Sequence, residues 1–156
     1  MRRRDRKRVM AIASAGGHWI QLRRLAPAFD GADVFYVGVV DACAADVPAD
    51  VGYYTVPNIT RLSGTNLLRL VPRLLFILIK ERPGVVVTTG SAPGLIAIAM
   101  ARTLIGARTI WVDSIANCER MSTSGKLARA FATVWLTQWP HLANENGQPS
   151  FWGSVL

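Results

Sequence analysis

The chain has little of three things: cysteine, acidic side chains and long unbroken apolar runs. Two cysteines, Cys43 and Cys118, stand among 156 residues with no metal-ligand or redox spacing around them. That excludes a disulfide-stapled scaffold, a cysteine zinc finger and a Cys-x-x-Cys centre, and makes reduced cytosolic thiols the expectation. No apolar run approaches the ~20 residues that a spanning helix needs; Arg69, Pro72 and Arg73 interrupt residues 67–79, and Arg102 interrupts residues 94–105. The opening "MRRRDRKR" leads into "VMAIASAGG", which has neither the apolar core nor the cleavage region of a secretory signal. The G-x-G-x-x-G fingerprint, the P-loop spacing and an Asp-x-Asp pair are missing, so no dinucleotide or metal is called for. So are zinc-finger spacing, an RNA-recognition aromatic motif and a convincing helix-turn-helix, which argues against nucleic acid as the partner.

Acidic residues are outnumbered by basic ones, 10 to 18, for a net charge of +8. Such a balance attracts polyanions and anionic lipid surfaces. The basic residues are placed suggestively: Arg2, Arg3, Arg4, Arg6, Lys7 and Arg8 form an arm (residues 1–8), and Arg69 and Arg73 sit beside "LLFILIK". Each cation near an anionic leaflet contributes about 1 kcal/mol, enough in sum for reversible docking. The same arm can also be a solvated tail that aids solubility. The whole chain is 51% hydrophobic, and residues 9–156 are long enough for one domain with its own core.

Periodicity alternates strand and helix. "RVMAIASA" (8–15), "DVFYVGVV" (33–40), "VGYYTVPN" (51–58), "GVVVTTG" (84–90), "RTIWVDS" (108–114) and "VWLTQ" (134–138) read as strands. Segments 19–29, 65–81, 93–105 and 123–132 read as helices, with Pro72 predicting a kink in the second. Regular β-α alternation with nearly continuous apolar strands implies an α/β fold, a Rossmann-like parallel sheet with helices on both faces. Ligands bind such sheets beyond the carboxyl ends of the strands. Three unusual polar segments begin there: Ser14–His18, Thr88–Gly94 and Asp113–Asn117.

In Ser14-Ala15-Gly16-Gly17-His18, the glycines let a ligand approach the backbone, and the helix that follows offers free N–H groups to an anion. His18 can act as a general base if an acceptor hydroxyl reaches it, since an unperturbed imidazole titrates at about pH 6.5. A plain tight turn is the competing reading. "TTGSAPG" (88–94) is a second glycine-rich turn, with Gly90 before Ser91 as N-cap and Pro93 in the first turn; it suits a phosphate cradle or an ordinary capped helix start equally. In "WVDSIANCERMSTSGK" (111–126), Asp113 at a strand end can accept from a substrate hydroxyl or act as a base. Ser122, Ser124, Gly125 and Lys126 place hydroxyls and amides at a helix start, and a salt-bridged loop is the alternative. His141, after Trp139-Pro140, reads as structural.

The stretch "WVDSIANCERMSTSGKLARAFATVWLTQWPHL" carries a resemblance. It looks like the signature region of the membrane-anchoring subunit family of the split UDP-N-acetylglucosamine transferase of lipid-linked oligosaccharide synthesis, and is similar to related bacterial exopolysaccharide subunits. The family pattern of acidic-Ser, Ser-x-[ST]-Gly-Lys and Gln-Trp-Pro is met by Asp113-Ser114, Ser122, Ser124-Gly125-Lys126 and Gln138-Trp139-Pro140. The Ser-x-Gly-Gly-His turn, the Val-Val-Val-Thr-Thr-Gly strand and "FWGSVL" match in order, so the likeness covers essentially the whole chain. Three positions depart: Asp113 where glutamate is usual, and Asn117 and Asn58 where arginine is common.

The resemblance implies the N-terminal, acceptor-side half of a GT-B glycosyltransferase, completed by a small Rossmann-like donor-binding partner that holds most of the UDP-sugar. It implies an inverting transfer to a polyprenyl-diphosphate-linked saccharide in polysaccharide biosynthesis, without a cofactor or metal. His18 and then Asp113 are the expected bases. Ser14, Gly16, Gly17, Gly90, Ser91, Ser114, Asn117, Ser122, Ser124, Gly125 and Lys126 are the expected substrate-binding set. The N-terminal span of eukaryotic relatives is not seen, so attachment is expected to be peripheral, at the cytoplasmic face of the cell membrane. A non-catalytic scaffold that docks a catalytic partner is the alternative function, and a basic nucleic-acid-binding α/β protein a more distant one.

Overall fold

A computed structural model describes residues 7–59, 64–143 and 149–155; Arg2, Arg3, Arg4 and Arg6 of the basic arm lie outside them. Seven strands form one parallel sheet: β1 (Arg8–Ile12), β2 (Asp33–Gly38), β3 (Gly52–Thr55), β4 (Val85–Thr88), β5 (Arg108–Val112), β6 (Val134–Thr137) and β7 (Ser150–Phe151). Their order is β3-β2-β1-β4-β5-β6-β7. The chain therefore winds outward twice from the centre, and the order reverses between β1 and β4. Ile12 is in register with Val37 on one side and Thr88 on the other. Parallel strands need crossovers, which the helices α1 (Gly17–Arg24), α2 (Gly64–Glu81), α3 (Ala92–Leu104) and α4 (Thr123–Ala128) supply in part.

Alternation along β1 assigns the two faces. Met10 and Ile12 pack with Phe35, Val37, Val86 and Trp111 under α2, α3 and α4, whereas Ala11 and Ala13 face Trp19 and Leu22 of α1 together with Tyr36, Cys43 and Val47. Leu70, Leu74, Ile77 and Leu78 of α2 are fully buried. Each stabilises the fold by about 1.5–3 kcal/mol relative to exposure. The opposite face is thinner, built on edge-to-face contacts of Trp19 with Tyr36 and Tyr53.

Two helices end earlier than periodicity predicts. The helix expected over 19–29 ends at Arg24 and gives way to a 3-10 turn over Ala26–Phe29, because Pro27 disfavours an α conformation in the residue before it. The helix expected over 123–132 stops at Ala128, whose carbonyl accepts from both Phe131 and Ala132. Reciprocal bonds between Thr109 and Thr133 then turn the chain into β6. By contrast, α2 continues through Pro72; the residue is exposed, so the carbonyl it leaves without a donor faces water.

At the amino end of the sheet, Arg8 bridges Asp33 and Glu81, and Tyr54 donates to Glu81. Burial by itself would raise the Glu81 carboxyl, but the hydrogen bonds from Tyr54 and Arg8 and the guanidinium charge outweigh it and hold it below the ordinary range. On the α1 face, burial foremost, with the neighbouring Cys43, pushes the Tyr53 phenol up to about 12. It thus stays a neutral donor to the Val40 carbonyl at 2.6 Å.

Candidate functional site

The strand order reverses between β1 and β4, and doubly wound sheets bind ligands at the carboxyl ends of the strands at such a point. Two glycine-rich turns meet there. In the first, Gly16 occupies the N-cap of α1 at φ 73°, ψ −138°, a conformation that only glycine adopts freely. In the second, Gly90 at φ 126° lies against His18: a Cβ there would stand 2.8 Å from both Cε1 and Nδ1 of the ring. The turns are tied together. His18 Nδ1 is 2.9 Å from the Thr89 carbonyl, and Thr89 Oγ1 donates to the His18 carbonyl at 2.6 Å. A carbonyl can only accept, so Nδ1 is the donor to Thr89, and in the neutral ring Nε2 is then the acceptor nitrogen.

Ser91 follows Gly90 at φ 77°, ψ 167°, a region otherwise reserved for glycine and worth about 1–3 kcal/mol of strain. It stands at the N-cap of α3 as expected, but its hydroxyl caps nothing. Among the described residues it is a buried side-chain oxygen without a hydrogen-bond partner. An open cleft of about 370 Å³ lies beside it, lined by Ser14, Ala15, Asn58, Ile59, Ser91, Ala92 and Ser124. Four segments that are distant in sequence thus meet around one cleft.

Asp113 is 2% exposed and its carboxylate is filled by its own chain. Oδ1 accepts from Trp111 Nε1 at 3.1 Å and Ser122 Oγ at 2.6 Å; Oδ2 accepts from Asn117 Nδ2 at 3.1 Å and the Ser122 backbone N–H at 2.9 Å. Ser122 Oγ in turn accepts from Gly125 N–H at 2.8 Å, capping α4. A Cβ on Gly125 would fall 2.5 Å from Asp113 Oδ1 and 2.8 Å from Ser122 Oγ, which explains the glycine. Asp113 here holds the 113–125 loop in one shape. Asn117, standing where arginine is common in the family pattern, fits this arrangement as a neutral donor.

A second polar network, absent from the sequence reading, lies under that loop. Gln21 of α1 is buried and donates from Nε2 to Ser114 Oγ at 3.2 Å, while its Oε1 accepts from Ile115 N–H at 3.2 Å and Gln138 Nε2 at 2.7 Å. Gln138 Nε2 also reaches the Asp113 carbonyl at 2.8 Å, and its Oε1 accepts from Val155 N–H at 2.7 Å. Trp139 Nε1 bonds the Ile115 carbonyl at 2.7 Å. The loop after β5, the end of β6 and the C-terminal strap are thereby held by two side-chain amides.

The structure therefore brings Ser14, Ser91 and Ser124 to one cleft and sets Gly16, Gly17, His18 and Gly90 at its neighbouring switch point. Ser114, Asn117, Ser122 and Gly125 sit in the scaffold of the loop, and Lys126 is exposed on α4. Sequence reasoning missed Thr89 and Gln21. Gln21 was visible only as an uncharged polar residue between apolar Ile20 and Leu22. His141 accords with a structural reading, its Nε2 lying 2.6 Å from the Cys118 carbonyl. No group of three or more His, Cys, Asp or Glu that could hold a metal occurs among the described residues.

Solved structures share this architecture. Acinetobacter baumannii MurG superposes with a TM-score of 0.68 at 15% identity, over 86% of this chain and 42% of that one. A UDP-N-acetylglucosamine 2-epimerase from Rickettsia bellii superposes at 0.65 and 15% identity, over 87% and 40%. The fold is that of the N-terminal, Rossmann-like half of a GT-B protein. In sequence, the chain is 32% identical over 79 residues to the "UDP-N-acetylglucosamine transferase subunit ALG14" of Eremothecium gossypii, covering 47% of this chain and 35% of that protein. It is 33% identical over 82 residues to the protein of that name from Yarrowia lipolytica, covering 49% and 38%. The chain spans little more than a third of either curated relative. The profile described as "Oligosaccharide biosynthesis protein Alg14 like" matches residues 58–155, from the lip of the cleft through the Asp113 loop to the C-terminal strap, and on that match the chain belongs to the Alg14-like family.

Proposed function

We propose that the chain is the acceptor-side subunit of a bipartite inverting glycosyltransferase, which moves a sugar from a UDP-sugar to a polyprenyl-diphosphate-linked saccharide in polysaccharide biosynthesis. The observation that carries the reading is His18: its ring is held through Nδ1 by the Thr89 carbonyl and lies against Gly90, in the turns next to Ala15 and Ser91 of the cleft lining. In this reading a small Rossmann-like partner would supply the donor site, the other half of the GT-B architecture that this chain matches in part.

In the proposed step, Nε2 takes the proton of the acceptor hydroxyl. The oxygen bonds to the anomeric carbon as the bond from that carbon to the diphosphate oxygen breaks, and UDP leaves with the electron pair. The N–H groups at the starts of α1 and α3 would cradle the acceptor's diphosphate, with Ser14 and Ser124 offering hydroxyls and Ser91 shaping the turn through its backbone. In this reading Asp113 contributes by shape, because both its carboxylate oxygens are engaged by donors of its own chain. In this reading the chain attaches peripherally at the cytoplasmic face of the cell membrane; no helix among the described residues is long and apolar enough to cross a membrane.

The test is to purify the tagged chain with its partner from native cells and assay transfer from UDP-sugars to extracted lipid. His18→Ala in the assembled pair should lower kcat by about 10²-fold or more, the contribution of a general base. Unchanged turnover would leave the chain as a docking scaffold, and full activity from the chain alone would overturn the bipartite reading.

A further inference from the structure

Helix α1 carries His18 but is only two turns long, Gly17–Arg24, and opens on a glycine that supplies no side-chain cap. A helix so short draws little rigidity from its own hydrogen-bond ladder, so its placement depends on what its inner side touches. Three of its residues are buried: Trp19, Gln21 and Leu22. Leu22 packs without direction. Trp19 Nε1 bonds Asp46 at 2.8 Å, in the connection from β2 to β3. Gln21 reaches instead to the loop after β5 and the end of β6. Its Nε2 donates to Ser114 Oγ, and its Oε1 accepts from Ile115 N–H and Gln138 Nε2. Gln21 is 6% exposed and Gln138 2%, so water does not stand in for these bonds. A buried amide costs stability unless its partners are met, and where they are met the network selects one arrangement among those that apolar packing would allow.

Gln21 stands three residues after His18, a neighbouring position on the helix surface, roughly 4.5 Å further along the axis. Ser14 and Ala15, which lead into α1, line the same cleft as Ser124, which follows the Asp113 loop. Gln21 is thus a direct side-chain tie between the segment that carries His18 and the loop that leads to Ser124. We propose that Gln21, braced by Gln138, is a positioning residue for the transfer. It fixes how far α1 and the His18 imidazole stand from that loop, and so the geometry in which an acceptor hydroxyl meets the ring. Gln138 serves by holding Gln21 Oε1 while its bond to the Asp113 carbonyl, 2.8 Å long, joins the grip to the braced loop. A group misplaced by about 1 Å forfeits up to about 10²-fold in rate, so a bond remote from the acceptor sets turnover. The effect on transfer rests on the proposed function; the placement of His18 does not.

The experiment has two arms. In the full chain alone, nitrogen-15 spectra of the histidine rings report the hydrogen bond from His18 Nδ1 to Thr89; the chain has two histidines, and His141→Gln tells their signals apart. Gln21→Met should shift the His18 signals towards the tautomer mixture of a free imidazole. Ser114→Ala, which removes one of the three bonds of Gln21, should do so to a smaller extent. Gln21→Glu keeps the acceptor oxygen and should restore the parent pattern. Ile77→Val, in the core on the other face of the sheet, should lower stability and leave these signals alone. In the assembled pair, Gln21→Met should lower kcat about 10–10²-fold with the KM for UDP-sugar unchanged, and Gln21→Glu should recover most of it. Circular dichroism checks the fold, and should Gln21→Met not fold, Ser114→Ala carries the same comparison. Parent-like His18 signals in the folded variant would overturn the proposal, as would lowered stability with kcat unchanged. A parent pair that transfers no sugar would refute the proposed function and leave the ring spectra to decide this inference.

Discussion

Removing the Asp113 carboxylate should cost more stability than any other single polar change near the site. Its four donors are Trp111 Nε1, Ser122 Oγ, Ser122 N–H and Asn117 Nδ2. Trp111 is fully buried, so in Asp113→Ala its indole N–H has no water to turn to. One orphaned buried donor costs about 1–3 kcal/mol, and bonds to a charged acceptor contribute about 1.5–3 kcal/mol each. The donors of Ser122 and Asn117 are partly buried and recover some of this from solvent. The expected total is about 3–5 kcal/mol, a large share of the stability of an ordinary domain. Asp113→Asn keeps the shape but sets an amide N–H₂ against existing donors; rotation of Ser122 Oγ or Asn117 relieves part of the conflict, so about 2–3 kcal/mol is expected. Urea unfolding followed by tryptophan fluorescence measures both, with an unchanged m value as the sign that only stability moved. A loss below 1 kcal/mol for Asp113→Ala would refute the view of Asp113 as the brace of the loop and restore it as a base free to act.

Two further predictions concern other parts of the fold. Ser91→Gly removes a strained backbone and an orphaned hydroxyl at the expense of added freedom in the unfolded chain; a net gain of about 1–2 kcal/mol, or about 2–8 °C in Tm by calorimetry, is expected, and a fall in Tm would contradict the geometry. For Glu81, the depressed carboxyl means that its pairing with Arg8 and Tyr54 stabilises the fold above the unfolded-state value of about 4.5 and that this is lost as pH falls through the lower folded value. Glu81→Gln should therefore lower Tm at neutral pH, with the parent and variant curves converging below about pH 4; parallel curves would show that the carboxylate charge is irrelevant there.

Much of this protein was legible without coordinates. Strand identity followed from β-branched apolar runs such as "GVVVT", because strands buried on both faces leave no polar positions to confuse the period. The β-α alternation then required a parallel doubly wound sheet, and the glycines after β1 and β4 could be placed in turns at the carboxyl ends of those strands. The motif Ser122-x-Ser124-Gly125 could be placed at a helix start, and was found there. Helix ends were less legible, because the stops at Arg24 and Ala128 depend on Pro27 and on a pair of threonines, Thr109 and Thr133, 24 residues apart.

Side-chain roles were the part that sequence left open. Asp113 reads as a base or as a brace until Trp111, Asn117 and Ser122 are placed around it; the same carboxylate is reactive or saturated according to how many donors surround it. Gln21 and Gln138 are 117 residues apart, and no local pattern couples two amides across that distance. The strain at Ser91 and the Nδ1 proton of His18 exist only because β1 and β4 are neighbours in space. Local propensity and periodicity are properties of adjacent residues and so are written in the chain itself. Burial and the saturation of hydrogen bonds depend on which distant segments meet, and that was decided by the tertiary structure.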